Sequence, residues 1–181
     1  AGDVAAAPAP PRAATGRDAW RIGTPDLVLS TGPIELPATG VVPYRYVVLP
    51  HVFREDTWVE EIEIRPSDRV ALHHANLGWY RLGGDVSAQN FLTGQVPGGD
   101  PMRLGAGVAV LVPAGSEIGL QVHHVTPGSP TTATIDVGLR FPRAPVERRL
   151  RVLEISNGRF EIPPFAPAHE VRAERRFDAA A

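Results

Sequence analysis

Short apolar segments separated by Pro- and Gly-rich turns restrict the fold of this chain more than any other feature. No stretch keeps the 3.6-residue period of an amphipathic helix, whereas several segments alternate with the two-residue period of a strand. Gly contributes 18 and Pro 19 of the 181 residues, so turns interrupt the chain at short intervals. The pattern predicts an all-β, antiparallel two-sheet β-sandwich, jelly-roll-like, of about eight to nine strands. The candidate strands are residues 26–30, 44–49, 57–64, 69–74, 108–112, 117–125, 132–141, 149–155 and 170–177.

The length of the chain suits one domain with a hydrophobic core, and two full domains would need more residues. Residues 1–19 are rich in Ala and Pro and are predicted to form an extended linker or arm. Residues 20–157 are assigned to the β-sandwich domain. Residues 158–181 are assigned to a C-terminal strand and tail that either docks on a partner or leads into a further domain.

Two local predictions concern segments next to the candidate strands. Residues 76–107 contain several Gly and Pro and are predicted to be a long irregular loop. In the segment 57–64, alternation places Glu61 and Glu63 together on one face of the strand. These two carboxylates could act as an acid and base pair, but an exposed strand face explains them better.

Composition excludes several classes of function. The net charge of −2 gives no electrostatic basis for binding nucleic acid, and no apolar run is long enough to span a membrane. The absence of Cys excludes disulfides and thiolate metal sites. Residues 139–181 hold nine Arg and six acidic residues, and this stretch is either a solvated face of mixed charge or a docking surface. The candidate docking residues are Arg148, Arg149, Arg151, Arg172, Arg175 and Arg176.

Four of the six His form two adjacent pairs, His73-His74 and His123-His124, on two candidate strands. Imidazole is a preferred ligand of copper and zinc, and a histidine-only site needs about three converging rings. Neighbouring residues on a regular strand point to opposite faces, so His73 and His74 can share a metal only at a strand end or a bulge. The same rule allows one of the second pair to join them. The alternative is that each pair has one ring in solvent and one in the core.

A set of short segments resembles the copper type II, ascorbate-dependent monooxygenase family, which includes peptidylglycine alpha-hydroxylating monooxygenase. The segments follow the order and approximate spacing of that family over residues 20–175. They are WRIGTPD at 20–26, WVEEIEIRP at 58–66, HH at 73–74, PAGS at 113–116, LQVH at 120–123, VGLRF at 137–141 and FEIPP at 160–164. The resemblance is greatest to bacterial extracytoplasmic members, and it therefore implies a periplasmic location.

The resemblance implies two consecutive sandwich domains in the full enzyme. The first would carry a copper held by three His, which correspond here to His73, His74 and His123, with His124 as a substitute. The second would carry the copper at which oxygen and substrate react, supplied with electrons from ascorbate through the first. The chain ends near the expected start of that second domain, so we do not expect it to act as an enzyme on its own.

Three interpretations of function remain open at this point. The chain is a copper-binding electron-relay domain separated from its catalytic partner, or a piece of an active two-domain oxygenase. Alternatively, it is a non-catalytic extracytoplasmic subunit that docks on other protein subunits of a larger, membrane-bound complex. The missing second domain favours this last interpretation, with copper as a possible cofactor. We expect no nucleic-acid partner and no direct membrane span.

Overall fold

A computed structural model describes residues 19–176 of the chain, and the predicted N-terminal arm lies almost entirely outside this range. Within it, the regular structure is β-strand apart from one short 3-10 turn at Val86–Ala88. The described strands are β1 (Leu27–Ser30), β2 (Ile34–Leu36), β3 (Arg45–Phe53), β4 (Thr57–Val59), β5 (Glu61–Pro66), β6 (Leu72–Arg81), β7 (Asn90–Gln95), β8 (Met102–Arg103), β9 (Val108–Val112), β10 (Ser116–His124), β11 (Thr131–Ala133), β12 (Ile135–Arg140) and β13 (Arg148–Arg149).

Two four-stranded antiparallel sheets form the main body of the fold. One sheet has the strand order β1-β12-β5-β8 and the other has the order β3-β10-β6-β7. Small ladders complete the described structure: β2 pairs with β11, and β9 pairs with β4 and, in parallel, with β13. The predicted all-β sandwich is confirmed, and its two main sheets contain eight strands.

Apolar side chains from both main sheets meet in a single core. Alternating residues of β5 and β12 face alternating residues of β3, β6 and β10, as expected for two sheets that each have one buried face. Strand β9 adds Val110 and Val112 to the same cluster. Its fully buried members include Leu49, Val59, Leu77, Ile118, Leu120, Val122, Ile135, Val137 and Leu139.

The structure corrects the predicted loop at residues 76–107. Strand β6 continues to Arg81, and β7 pairs with it along Ala75–Trp79, so much of this segment belongs to the second sheet. Gly78 and Gly94 lie within β6 and β7, whereas Gly83 and Gly98 lie in turns between strands, as their composition predicts. The predicted strand at 57–64 is divided, because β4 pairs with β9 whereas β5 pairs with β12.

The outward face of β5 is covered, which corrects the prediction that its carboxylates are exposed. The Glu63 side chain is buried and accepts hydrogen bonds from the main-chain N–H groups of Arg21 (2.6 Å) and Ile22 (3.1 Å). Glu61 pairs with Arg140 at 2.6 Å. The segment that covers β5 is residues 20–22, and Gly138 leaves room for it, because a Cβ at Gly138 would lie 2.8 Å from the ring of Trp20. Both carboxylates therefore have structural partners.

Residues 151–176 form a second compact unit, which we describe by itself. It contains no regular strand, so the predicted strands at 149–155 and 170–177 are absent from residues 151–176, and Phe177 lies outside the described range. Two side-chain bonds to main-chain carbonyls link its ends: Asn157 Nδ2 donates to Arg172 (2.7 Å), and Arg175 Nη1 donates to Glu154 (3.0 Å). Pro residues in this segment remove main-chain donors that a ladder needs. No helix within residues 19–176 has the length and apolar character that crossing a membrane requires.

Asp26, which immediately precedes β1, connects the start of this edge strand to residues that follow β12. Its carboxylate accepts a hydrogen bond from the N–H of Phe141 (2.8 Å) and pairs with Arg143 (2.6 Å). The Phe141 N–H and then Arg143 lower the pKa of Asp26 below 3.8. A lowered folded-state pKa stabilises the fold above about pH 4, and this contribution is lost as the pH falls through that lowered value.

We therefore expect Asp26→Ala to reduce the free energy of unfolding by about 1–2 kcal/mol at pH 7, measured by urea denaturation. The difference from the original chain should shrink below about pH 4. Asp26→Asn keeps an acceptor oxygen and should lose less, and Glu55→Ala is the control at an exposed carboxylate. A difference that is independent of pH would contradict the assigned role of the Asp26 charge.

Candidate metal centre

A bulge at the start of β6 decides where the histidine rings point. His123 of β10 is opposite His74, but the next residue, His124, is opposite Leu72. His73 is therefore an extra residue on β6, without a partner across the ladder. Such a residue does not follow the strict alternation of a regular strand, so His73 and His74 are able to serve the same site.

The three rings of His73, His74 and His123 form one cluster. Each offers a nitrogen, and the three nitrogens lie within 4.8 Å of one another. The ring centroids are 5.0–5.4 Å apart, and the Nδ1 atoms of His73 and His74 are separated by 3.1 Å. Nitrogens that each lie about 2 Å from one ion are roughly 3–4 Å apart, so small ring rotations would suit a single metal.

Burial and mutual repulsion keep His74 in the form that binds metals. Burial, followed by the neighbouring charges of His123 and His73, lowers the pKa of His74 below 6.5. The His74 ring is therefore neutral at physiological pH, and neutral imidazole is the ligand form. The Nδ1 atom of His123 is buried and has no hydrogen-bond partner among the described residues. An unpaired buried nitrogen beside two other imidazoles fits a metal ligand.

Tyr44 covers one side of the cluster. Its ring stacks on His123 with 4.6 Å between centroids and an interplanar angle of 17°, and it lies 5.5 Å from the ring of His74. Sequence reasoning missed Tyr44, which stands just before β3. No local sequence signal identifies Tyr44, because the pairing of Arg45 with Val122 is what places Tyr44 opposite His123.

A row of polar side chains lies next to the cluster on the same sheet. Asn76 of β6 donates to Gln121 of β10 (3.1 Å), and Gln121 donates to the hydroxyl of Tyr46 on β3 (2.7 Å). The three residues are neighbours across the ladder, so these bonds tie together the strands that carry or flank the histidines. Cross-strand side-chain bonds of this kind stabilise the pairing of the strands that carry the histidines.

The remaining histidines lie elsewhere. His124 alternates in step with Val122 and Leu120 on β10, so its ring points into the core and is 2% exposed. It takes no part in the cluster. Burial is the largest cause that lowers the pKa of His124 below 6.5. His51 of β3 packs edge-on against Phe53, and His169 lies in the second unit. The proposed substitution of His124 for His123 therefore has no support in the geometry.

The six candidate docking arginines are divided between the two units. Arg148 and Arg149 form β13 and are exposed. Arg172 pairs with Glu170 at 2.5 Å, and Arg175 donates to the carbonyl of Glu154. The remaining two arginines, which are also exposed, are Arg151 and Arg176.

Comparison with known proteins gives no match. No family model, no curated protein and no solved structure is significantly similar to the chain. The resemblance to copper monooxygenases therefore stays a prediction, and the function has to be argued from the chemistry of the cluster.

Replacing His124 separates its role from that of the cluster. Neither ring nitrogen of His124 has a hydrogen-bond partner among the described residues. We expect His124→Leu to raise the free energy of unfolding of the metal-free protein by about 1 kcal/mol at pH 7, because it removes an unsatisfied buried polar group. The gain should increase below pH 6.5, since unfolding exposes a ring that then takes up a proton.

Urea denaturation in the presence of a chelator, at pH 7 and pH 5.5, measures this gain. Metal binding of His124→Leu, measured by equilibrium dialysis, should match that of the original chain. Loss of metal binding would instead place His124 among the ligands.

Proposed function

We propose that this chain binds one copper ion through His73, His74 and His123 and serves as an electron-relay domain. The observation that carries this proposal is the bulge at His73, which allows two consecutive residues and one from β10 to share a site. The sequence resemblance to the first domain of the copper monooxygenases supports the choice of the same three residues.

The donor set favours copper among the common metals. It contains three imidazoles and no carboxylate or thiolate, and imidazole suits copper and zinc, of which copper binds more strongly to a given nitrogen site. Copper, when bound, supplies a one-electron couple. The chain itself holds two half-buried ligands beneath Tyr44 and leaves His73 exposed, so an electron donor or acceptor can approach on the side of His73.

The described residues support a relay better than a catalyst. Within residues 19–176, this cluster is the one group of three or more His, Asp or Glu whose ligand atoms converge. A monooxygenase of the resembled family requires a second copper site, and Met102, the sole Met, belongs to β8, outside the cluster. Under this proposal, the reaction with oxygen would take place on another polypeptide or at residues outside those described.

Copper titration followed by electron paramagnetic resonance tests this proposal. We expect one cupric ion per chain with a nitrogen-ligated type II signal. His73→Ala and His123→Ala should each weaken binding at least about tenfold, because each removes one of three ligands. His51→Ala is the matched control, since His51 lies outside the cluster. A signal unchanged in both cluster variants, or binding of zinc but not copper, would contradict the proposal.

A second candidate function is docking as a non-catalytic subunit of an extracytoplasmic, membrane-bound complex. The observation that favours it is the surface of the second unit, where large apolar side chains are exposed close together in the sequence. Phe165 is fully exposed and has a positive φ of 62°, a conformation that is unfavourable for an aromatic residue. The other exposed members are Val152, Leu153, Ile155, Phe160, Ile162 and Val171.

Fractionation of the native host tests this second candidate. We expect the chain to migrate in a large complex that sediments with membranes. Leu153→Ser combined with Ile162→Ser and Phe165→Ser should release it as a monomer. Val41→Ser combined with Val70→Ser is the control, because these apolar residues are also well exposed but lie on the first unit. If the original chain also migrates as a monomer, the docking function is wrong, whereas the copper proposal is unaffected.

A further inference from the structure

A small cavity beside β5 is lined by three arginines. It has a volume of about 240 Å³ and lies between the N-terminal segment, strand β5 and the loop that connects β7 to β8. Liquid water occupies about 30 Å³ per molecule, so the space could hold an ion or a group of several heavy atoms. The arginines are Arg21, Arg65 and Arg69.

Two of these guanidinium groups are held in place by the protein. The guanidinium carbon of Arg65 lies 4.4 Å from the centroid of the Trp20 ring, an arrangement that uses the flat face and leaves the N–H edges available. Arg21 donates to the carbonyl of Gly99 (3.1 Å) and pairs with Asp100. Arg21 is therefore already compensated, and it forms part of the wall.

The other charges in the wall leave the cavity positive. The Glu63 carboxylate accepts the N–H groups of Arg21 and Ile22, and Asp100 is paired with Arg21. Among residues 19–176, neither Arg65 nor Arg69 has a hydrogen-bond acceptor or a carboxylate within pairing distance. Arg65 and Arg69, with five N–H donors each, thus line a space whose two carboxylates, Glu63 and Asp100, already have partners.

We propose that this cavity binds a compact oxyanion, the carboxylate or phosphate group of a small molecule, through Arg65 and Arg69. Guanidinium groups match the planar spacing of carboxylate and phosphate oxygens, and a partly enclosed site strengthens charge-assisted hydrogen bonds. The stacking of Arg65 on Trp20 orients one donor group in advance and reduces the entropy lost on binding. The site uses none of the cluster histidines, so it is independent of the proposed copper function.

Calorimetric titration of the full chain tests the proposal, with inorganic phosphate and succinate as separate probes at low, matched ionic strength. We expect saturable binding of at least one probe, with a stoichiometry of one. Arg69→Gln should weaken it about tenfold, the effect of losing one charge-assisted hydrogen bond. Arg69 is exposed and makes no hydrogen bond in the described structure, so its replacement should leave the fold intact. Arg54→Gln, at another exposed arginine outside the cavity, should bind as the original chain does.

The two probes distinguish the sources of the oxyanion: tighter binding of phosphate indicates a phosphorylated ligand, and tighter binding of succinate indicates a carboxylic acid. Absence of saturable binding with both probes would overturn the proposal. Equal weakening in Arg69→Gln and Arg54→Gln would also overturn it, because that result describes diffuse attraction to surface charge. Neither of these outcomes changes the copper titration, so failure of the oxyanion site is distinguishable from failure of the metal site.

Discussion

The pairing of β6 with β10 is the interaction on which the candidate site depends. These strands are the central pair of their sheet, and each contributes buried side chains to the common core. The core therefore determines which side chains of these strands point inward, and Leu72, Leu77 and Val122 are among them. Because His73 is an extra residue on β6, both His73 and His74 can point outward while Leu72 and Leu77 still point into the core. Without the bulge, one ring of the first pair would enter the core and the cluster would lose a ligand.

The residues around the cluster would each serve the proposed metal site in a different way. Tyr44 shields His123, while the Asn76–Gln121–Tyr46 row stabilises the pairing of the three strands. Burial lowers the pKa of His74, so the ring needs no proton removed at neutral pH before it can act as a ligand. These features come from different strands and affect different properties of the cluster: its access to solvent, the pairing of its strands and the protonation of His74.

Sequence reasoning reached the fold class and the three histidines but not the contacts that connect them. Two-residue alternation predicts strands such as β10 and β12, because their buried faces are apolar. It failed at 76–107, where Gly within β6 and β7 resembled turn signals, and at Glu63, whose acceptors are filled by main-chain N–H groups of a distant segment. Spacing alone left open which histidines converge, and the choice of His73, His74 and His123 came from the family resemblance. A bulge and a stacked Tyr44 both depend on strand register, which pairing across the sheet determines and local composition does not record.

The position of His73 has a consequence for the proposed electron relay, in which the ligands would rearrange as copper changes oxidation state. Cuprous and cupric ions prefer different coordination geometries, so a relay site must allow some ligand movement at small energetic cost. His74 and His123 are opposite each other in the ladder, so a main-chain shift at either would disturb paired strands. His73 is the residue without a partner across the ladder, and its side chain is exposed. A change in geometry can therefore be absorbed by one side chain while the sheet behind it stays unchanged.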